Sequence, residues 1–380
     1  MRVHLDHNAT TPLSVSARAA LLEALDRLQG NPSSIHAEGR TARALLDDAR
    51  ERLAAALGVH EDDLVFTSGG TEANNLALSG VLGAAGQGAA LVTTPVEHSA
   101  VLEPARRLAT EGHPLRLVAV DAAGRPDLGE VVAAAAGAAL VSVMAANNEL
   151  GTTVDVAALG AALAERYGRQ RPRLHTDAVQ ALGKVPLRLE GVDLASLSGH
   201  KVGAPVGVGV LVRRRGTALR PLVLGGGQEG GLRPGTENVA GAVALAVAVE
   251  EAVAGRAAFA ERARRHVDNL WTSVQKAVPD VRLLGPPLED PERLPNTLNL
   301  RLPREDGRTL VTRLDLAGLA VSAGSACASG SLEPSHVLLA LGLSAEEARA
   351  GLRLSTGRAT SDGEIAHAVE ILSRTLGKAP

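Results

Sequence analysis

Two polar groups twenty-four residues apart carry the first chemical signal of this 380-residue chain. Ser198-Gly199-His200-Lys201 follows the apolar run Val192 to Leu197, which places a lysine amine at the carboxyl edge of a strand. That position suits a Schiff base. Upstream, Leu174-His175-Thr176-Asp177-Ala178-Val179-Gln180 delivers a lone carboxylate to what should be the same edge. An imine-forming lysine and a carboxylate facing a pyridinium nitrogen are what a pyridoxal-phosphate site requires of its protein.

Three further strand ends carry polar groups. Gly69-Gly70-Thr71 follows a strand and opens a helix, so backbone N–H groups, the helix dipole and a hydroxyl can converge on a phosphate. Taken alone it reads sooner as a strand-to-helix turn with a threonine cap, and the surrounding strand ends are what raise the phosphate reading. His98 lies beyond Ala89–Thr93, where an imidazole can cover a planar ring in a chain with few aromatics. Asn147-Asn148-Glu149 closes Ala139–Ala145, either as an Asn- and Gly-rich turn or as an amide aimed at a substrate carboxylate or cofactor hydroxyl. In open α/β sheets ligands bind outside the carboxyl ends of strands, so five such groups on five ends point to one ligand.

Two residues stand apart. Cys327, the single cysteine, sits in the small-residue run Ser322 to Ser331, which has no apolar periodicity to pack a core. A thiol there suits a nucleophile that visits a site and leaves it. Arg353 interrupts the apolar strand Leu352–Ser355; a surface edge is its default place, a bidentate carboxylate clamp the sharper reading.

The elements that must position these groups follow from periodicity. Strands are expected over Asp63–Thr67, Ala89–Thr93, Leu115–Val120, Ala139–Ala145, Arg173–Thr176, Asp193–Leu197 and Gly207–Arg213. Helices are expected over Ser14–Leu28, Arg40–Leu57, Glu72–Leu82, Leu102–Glu111, Val154–Tyr167, Asn238–Val253 and Phe259–Ala277. The alternation predicts an α/β fold with a mostly parallel seven-stranded sheet and helices on both faces. After residue 277, Pro- and Gly-rich joints separate Val281–Leu284, Thr297–Leu302 and Leu352–Ser355, with a closing helix over Asp362–Leu376. We therefore expect a large domain over 15–255 and a smaller α+β domain from 1–14 and 256–380, the first dozen residues crossing between them as an extended arm.

Composition narrows the class. Apolar residues make 45 % of the chain and charged ones 21 %, at a net charge of −3, which fits a globular protein and argues against nucleic acid as main partner. One cysteine excludes an intrachain disulfide or a thiolate-rich metal site, so no metal is expected. No stretch approaches the roughly 20 apolar residues of a membrane span and no leader precedes Asp6, so the expected compartment is the cytoplasm.

Seven segments together resemble the pyridoxal-phosphate-dependent cysteine desulfurases, fold type I enzymes of the class V aminotransferase-like family. They are Leu5 to Pro12, Asn31 to His36, Thr67 to Asn75, Asn147 to Gly151, His175 to Gln180, Ser198 to Lys201 and Arg233 to Asn238. Gly324-Ser325-Ala326-Cys327 with Ser331 to His336 resembles the long cysteine loop of group I, the nitrogenase and iron–sulfur types. The resemblance implies Lys201 as Schiff-base lysine and proton shuttle, Asp177 at the pyridine nitrogen, Gln180 as donor to the phenolic oxygen and His98 stacked on the ring. It places Gly70, Thr71, Ser198 and His200 on the phosphate, with Thr236 reaching across from a second subunit of a homodimer. Asn148 and Arg353 would take the substrate carboxylate and Cys327 the sulfur, to be passed on to an iron–sulfur scaffold or tRNA-thiolation protein. A selenocysteine lyase or an aminotransferase of the same fold is the nearest alternative, and a non-catalytic scaffold a more distant one.

Overall fold

A computed structural model describes residues 1–303, 306–323 and 333–377. Among the described residues twelve strands form three sheets: β1 (Val3–His4), β2 (Leu64–Thr67), β3 (Ala90–Thr93), β4 (Leu115–Leu117), β5 (Ala138–Ser142), β6 (Arg173–Asp177), β7 (Leu194–Ser198), β8 (Gly209–Arg213), β9 (Arg282–Leu284), β10 (Thr297–Arg301), β11 (Leu319–Ala320) and β12 (Gly351–Ser355). The largest has seven strands in the order β2-β8-β7-β6-β5-β3-β4. Every pairing in it is parallel except those of β8, which runs against both β2 and β7.

Most strands of this sheet are apolar runs because helices cover both faces; β6, Arg173-Leu174-His175-Thr176-Asp177, is the clearest exception, its His175 bonded to Ser142 and Ser196. On one face Leu76, Leu78 and Leu82 of helix Gly70–Ala85 and Val101 and Leu108 of helix Ser99–Thr110 bury against Val65, Leu91, Leu140, Leu194 and Leu211. On the other, Val92, Val141, Leu174, Ala195 and Val210 meet helices Val15–Arg27, Ala37–Leu57, Val156–Tyr167 and Val239–Ala254. The last of these packs against the first two and is apolar on nearly every side, as a helix with neighbours all round must be.

The smaller sheet is antiparallel, with β10 between β12 and β9. Helices Arg256–Ala277 and Asp362–Leu376 pack on each other above it and contribute Val267, Leu270, Ile365 and Leu372 to a separate core. The amino-terminal arm joins the two bodies: β1 pairs in parallel with β11, Asp6 bridges Ser355, and the Thr11 and Ser14 amides donate to the carbonyls of His200 and Gly203.

All seven expected strands of the large sheet are present, with ends shifted by a few residues, and the closing helix spans Asp362–Leu376 as read. Leu115–Val120 is cut to Leu115–Leu117, since it forms the sheet edge and has one partner only. Helices Leu128–Ala134 and Gly307–Leu316 were not expected; Asp127 and Asp306 cap them by accepting from first-turn amides. No helix among the described residues is long and apolar enough to cross a membrane.

Candidate active site

At the carboxyl edge of the large sheet, ten of the predicted residues line one cavity of about 270 Å³: Gly70, Thr71, His98, Asn148, Asp177, Gln180, Ser198, His200, Lys201 and Arg353. β6 ends in Asp177 and β7 in Ser198, adjacent parallel strands, so the carboxylate and the turn bearing Lys201 emerge side by side.

Asp177 is buried and held from two sides. The Asn74 amide donates to Oδ2 at 2.7 Å and the Val179 N–H to Oδ1 at 3.0 Å. Two donors keep the carboxylate fixed and leave lone pairs for a third. The Lys201 amine donates to the carbonyls of Asn8 and Ala9 at 2.7 and 2.6 Å, so the arm holds the lysine at the cavity wall. His200 contacts Thr10 Oγ1 at 3.1 Å, and burial beside the Lys201 charge lowers its pKa to about 4, which keeps the ring neutral.

The cradle at Gly70 has a steric origin. Helix Gly70–Ala85 begins after Gly69 with no side chain accepting from its first turn, leaving N–H groups open to an anion. A Cβ at Gly70 would lie 2.8 Å from Val179 Cγ2 and 3.4 Å from Ser198 Cβ, so only glycine keeps that space open. His98 begins the next helix: its Nδ1 accepts from the Ala100 N–H at 3.0 Å, which fixes the ring while its face borders the cavity.

Arg353 corrects the default reading of a surface position. It is 0 % exposed, its Nη2 donates to Asp6 Oδ1 at 2.8 Å and its Nη1 to the Asn148 carbonyl at 3.1 Å, while Nε has no partner. A guanidinium held on the cavity wall by Asp6 and the Asn148 carbonyl is chemically fit for a carboxylate. Thr236 does not line this cavity; it is exposed and accepts from Asn31 Nδ2 at 3.4 Å. Cys327 lies outside the described residues.

Four residues of the site or its surround had no role in the reading from sequence. Asn8 accepts on its carbonyl from Lys201 and from Gln180 Nε2 (2.9 Å), and its amide donates to the Asn148 carbonyl at 3.0 Å and Thr297 Oγ1 at 2.8 Å. Asn74 orients Asp177, and Lys184 binds Gln180 and Asn8. Glu97 is fully buried; its Oε1 accepts from Thr94 Oγ1 and the Met144 N–H, and burial, reinforced by the Asp177 charge, pushes the carboxyl up to about 8. The signal available for each was a polar residue inside an otherwise apolar or motif segment.

The sequence pattern described as aminotransferase class-V matches residues 3–367. The chain belongs to the class-V aminotransferase family. Cysteine desulfurase IscS of Dictyoglomus turgidum is 40 % identical to it over 380 residues, covering 99 % of this chain and 95 % of the relative. Among solved structures, a NifS-like protein superposes with a TM-score of 0.90 at 35 % identity, over 98 % of this chain and 99 % of the other. A second, described as SspA in complex with cysteine, superposes with a TM-score of 0.80 at 31 % identity, over 93 % and 98 %. Class-V aminotransferases of the desulfurase kind use pyridoxal phosphate. The donor set fits that group: open N–H groups for a phosphate, an oriented buried carboxylate for a protonated ring nitrogen, and an amine within the same cavity.

Proposed function

We propose that this chain is a pyridoxal-phosphate-dependent cysteine desulfurase, which releases L-alanine from L-cysteine and takes the sulfur onto Cys327. One observation supports it above the rest: Lys201, Asp177 and the buried Arg353 meet in one cavity beside an uncapped helix start. When bound, pyridoxal phosphate draws electron density from the substrate's Cα and so loosens its bonds.

The protein's own residues divide the remaining work. Gly70, Thr71, Ser198 and His200 hold the phosphate, and His98 covers the ring. Asp177 keeps the pyridine nitrogen protonated, and Gln180 donates to the phenolic oxygen. Arg353 and Asn148 hold the substrate carboxylate. The Lys201 amine, free once substrate is bound, would take the proton from the substrate's Cα and hold it for return. The Cys327 thiolate then attacks the substrate sulfur: an S–S bond forms, the Cβ–S bond breaks and its electron pair stays with carbon. Protonation of that carbon gives alanine, and Cys327 is left as a persulfide.

The persulfide sulfur passes to an acceptor protein, an iron–sulfur scaffold or a tRNA-thiolation protein. The enzyme works as a homodimer in which Thr236 completes the partner subunit's phosphate site, which accords with its place outside this subunit's cavity. On this reading the compartment is the cytoplasm, where a lone thiol stays reduced, and the domain boundary falls at residue 255, between helices Val239–Ala254 and Arg256–Ala277.

Alanine release from L-cysteine with a thiol reductant present, run on wild type and Cys327→Ser, tests this. Alanine from the wild type alone is expected. Equal release from both denies Cys327 its role, and none from either overturns the desulfurase reading.

A further inference from the structure

Lys184 is a buried amine that the chemistry above does not use. It lies four residues past Gln180 in the turn that follows β6, with 6 % of its surface exposed. Its Nζ donates to Gln180 Oε1 and, at 3.0 Å, to Asn8 Oδ1. Among the described residues no carboxylate lies within ion-pair distance of it, which is rare for a buried lysine. It also lines a second cavity of about 340 Å³ behind Lys201, shared with His7, Glu251 and Arg358.

The consequence falls on the Gln180 amide. With Oε1 turned to Lys184 and one N–H given to the Asn8 carbonyl, the second N–H is the donor this side chain has left for the front cavity that it lines. Asn8 is fixed in turn, because its Oδ1 accepts from both Lys184 and Asn296. A glutamine without such a clamp can rotate and offer its oxygen instead.

We infer that Lys184 is a positioning residue for the cofactor's phenolic oxygen, locking Gln180 with an N–H directed at that atom. This rests on the functional reading given above. Burial, reinforced by the charges of Lys201, Arg353 and Arg358, pulls the Lys184 ammonium well below the usual lysine range. Either protonation state supplies the two donors that the clamp needs. The other titratable groups around the amine are His7 on the arm and Glu251 across the rear cavity; His98, His200 and Asp177 face the cofactor side.

A hydrogen bond to the phenolic oxygen favours its anionic form and so eases proton loss from the neighbouring imine. The test is the pH midpoint of the visible absorbance of the bound cofactor in the full-length holoenzyme. It is measured for wild type, Lys184→Met, Gln180→Ala and the double variant. Lys184→Met is expected to raise the midpoint by about one unit, and the double variant to match Gln180→Ala alone, since the lysine acts through the glutamine. Lys184→Gln, whose amide stops short of the lysine amine, serves if the Met variant does not fold and is expected to shift the midpoint the same way. An unmoved midpoint, additive shifts, or failure of both variants to fold overturns the inference. A wild type that never acquires the absorbance overturns the functional reading instead.

Discussion

Replacing Glu97 by glutamine should remove a pH dependence from the stability of the fold. The carboxyl is fully buried, Oε1 is occupied by Thr94 and the Met144 amide, and Oε2 has no partner. Burial therefore raises its folded pKa from 4.5 to about 8. Between those values the folded chain keeps the proton and the unfolded chain does not, so the Glu97 contribution to stability is fully present below 4.5 and is lost as pH rises towards 8. At 1.36 kcal/mol per unit the whole window amounts to about 5 kcal/mol. A chain of 380 residues unfolds with an entropy near 0.8 kcal/mol/K at about 2.1 cal/mol/K per residue, so the loss corresponds to a fall of about 6 °C in Tm. Glutamine keeps the acceptor and cannot ionise. Scanning calorimetry of apoprotein from pH 4.5 to 8.5 should give coincident midpoints at the acid end and a variant about 6 °C more stable at the alkaline end. His7, His175 and His200, held neutral by burial at about 4, 3 and 4, destabilise both proteins equally as pH falls below 6.5. Parallel curves for the two proteins would refute the assignment of a protonated, uncompensated carboxyl.

Gly70→Ala should weaken cofactor retention by about tenfold or more, because its methyl must displace Val179 Cγ2 from 2.8 Å and crowds the helix start; equilibrium dialysis showing unchanged retention would exclude a phosphate cradle there. Arg353→Lys should raise KM for L-cysteine by about ten- to a hundredfold, the worth of one charge-assisted bond of about 1.5–3 kcal/mol, with a smaller change in kcat. Steady-state alanine formation reads both constants, and an unchanged KM would remove Arg353 from the substrate carboxylate.

The parts of this molecule that were legible in sequence are those set by local pattern. β5 and β7 are mostly apolar because both sheet faces are covered, and β6 and β7 end in Asp177 and Ser198 at the ligand edge. Asp177, Ser198 and Lys201 were therefore visible as strand ends. Asn8 was quoted within a motif but had no role, because its partners Asn296 and Lys184 lie 288 and 176 residues away. Arg353 looks like an edge residue until Asp6, 347 positions earlier, supplies a counterion to the buried guanidinium. Helix Leu128–Ala134 is too short for periodicity to separate it from a loop.

The pairing of Val3 with Leu319 has a temporal side. A ribosome adding about 5–20 residues per second makes the first strand and then runs on for some 15 to 60 s before the second exists. The Lys201 turn, Asp177 and the Asn296 and Thr297 partners of Asn8 have by then been made, but Ser355, whose Oγ accepts from the Asn8 backbone N–H, and Arg353 beside it have not. A nascent chain thus carries the reactive lysine well before the arm that restrains it is anchored, and competence for catalysis arrives only with the last tenth of translation.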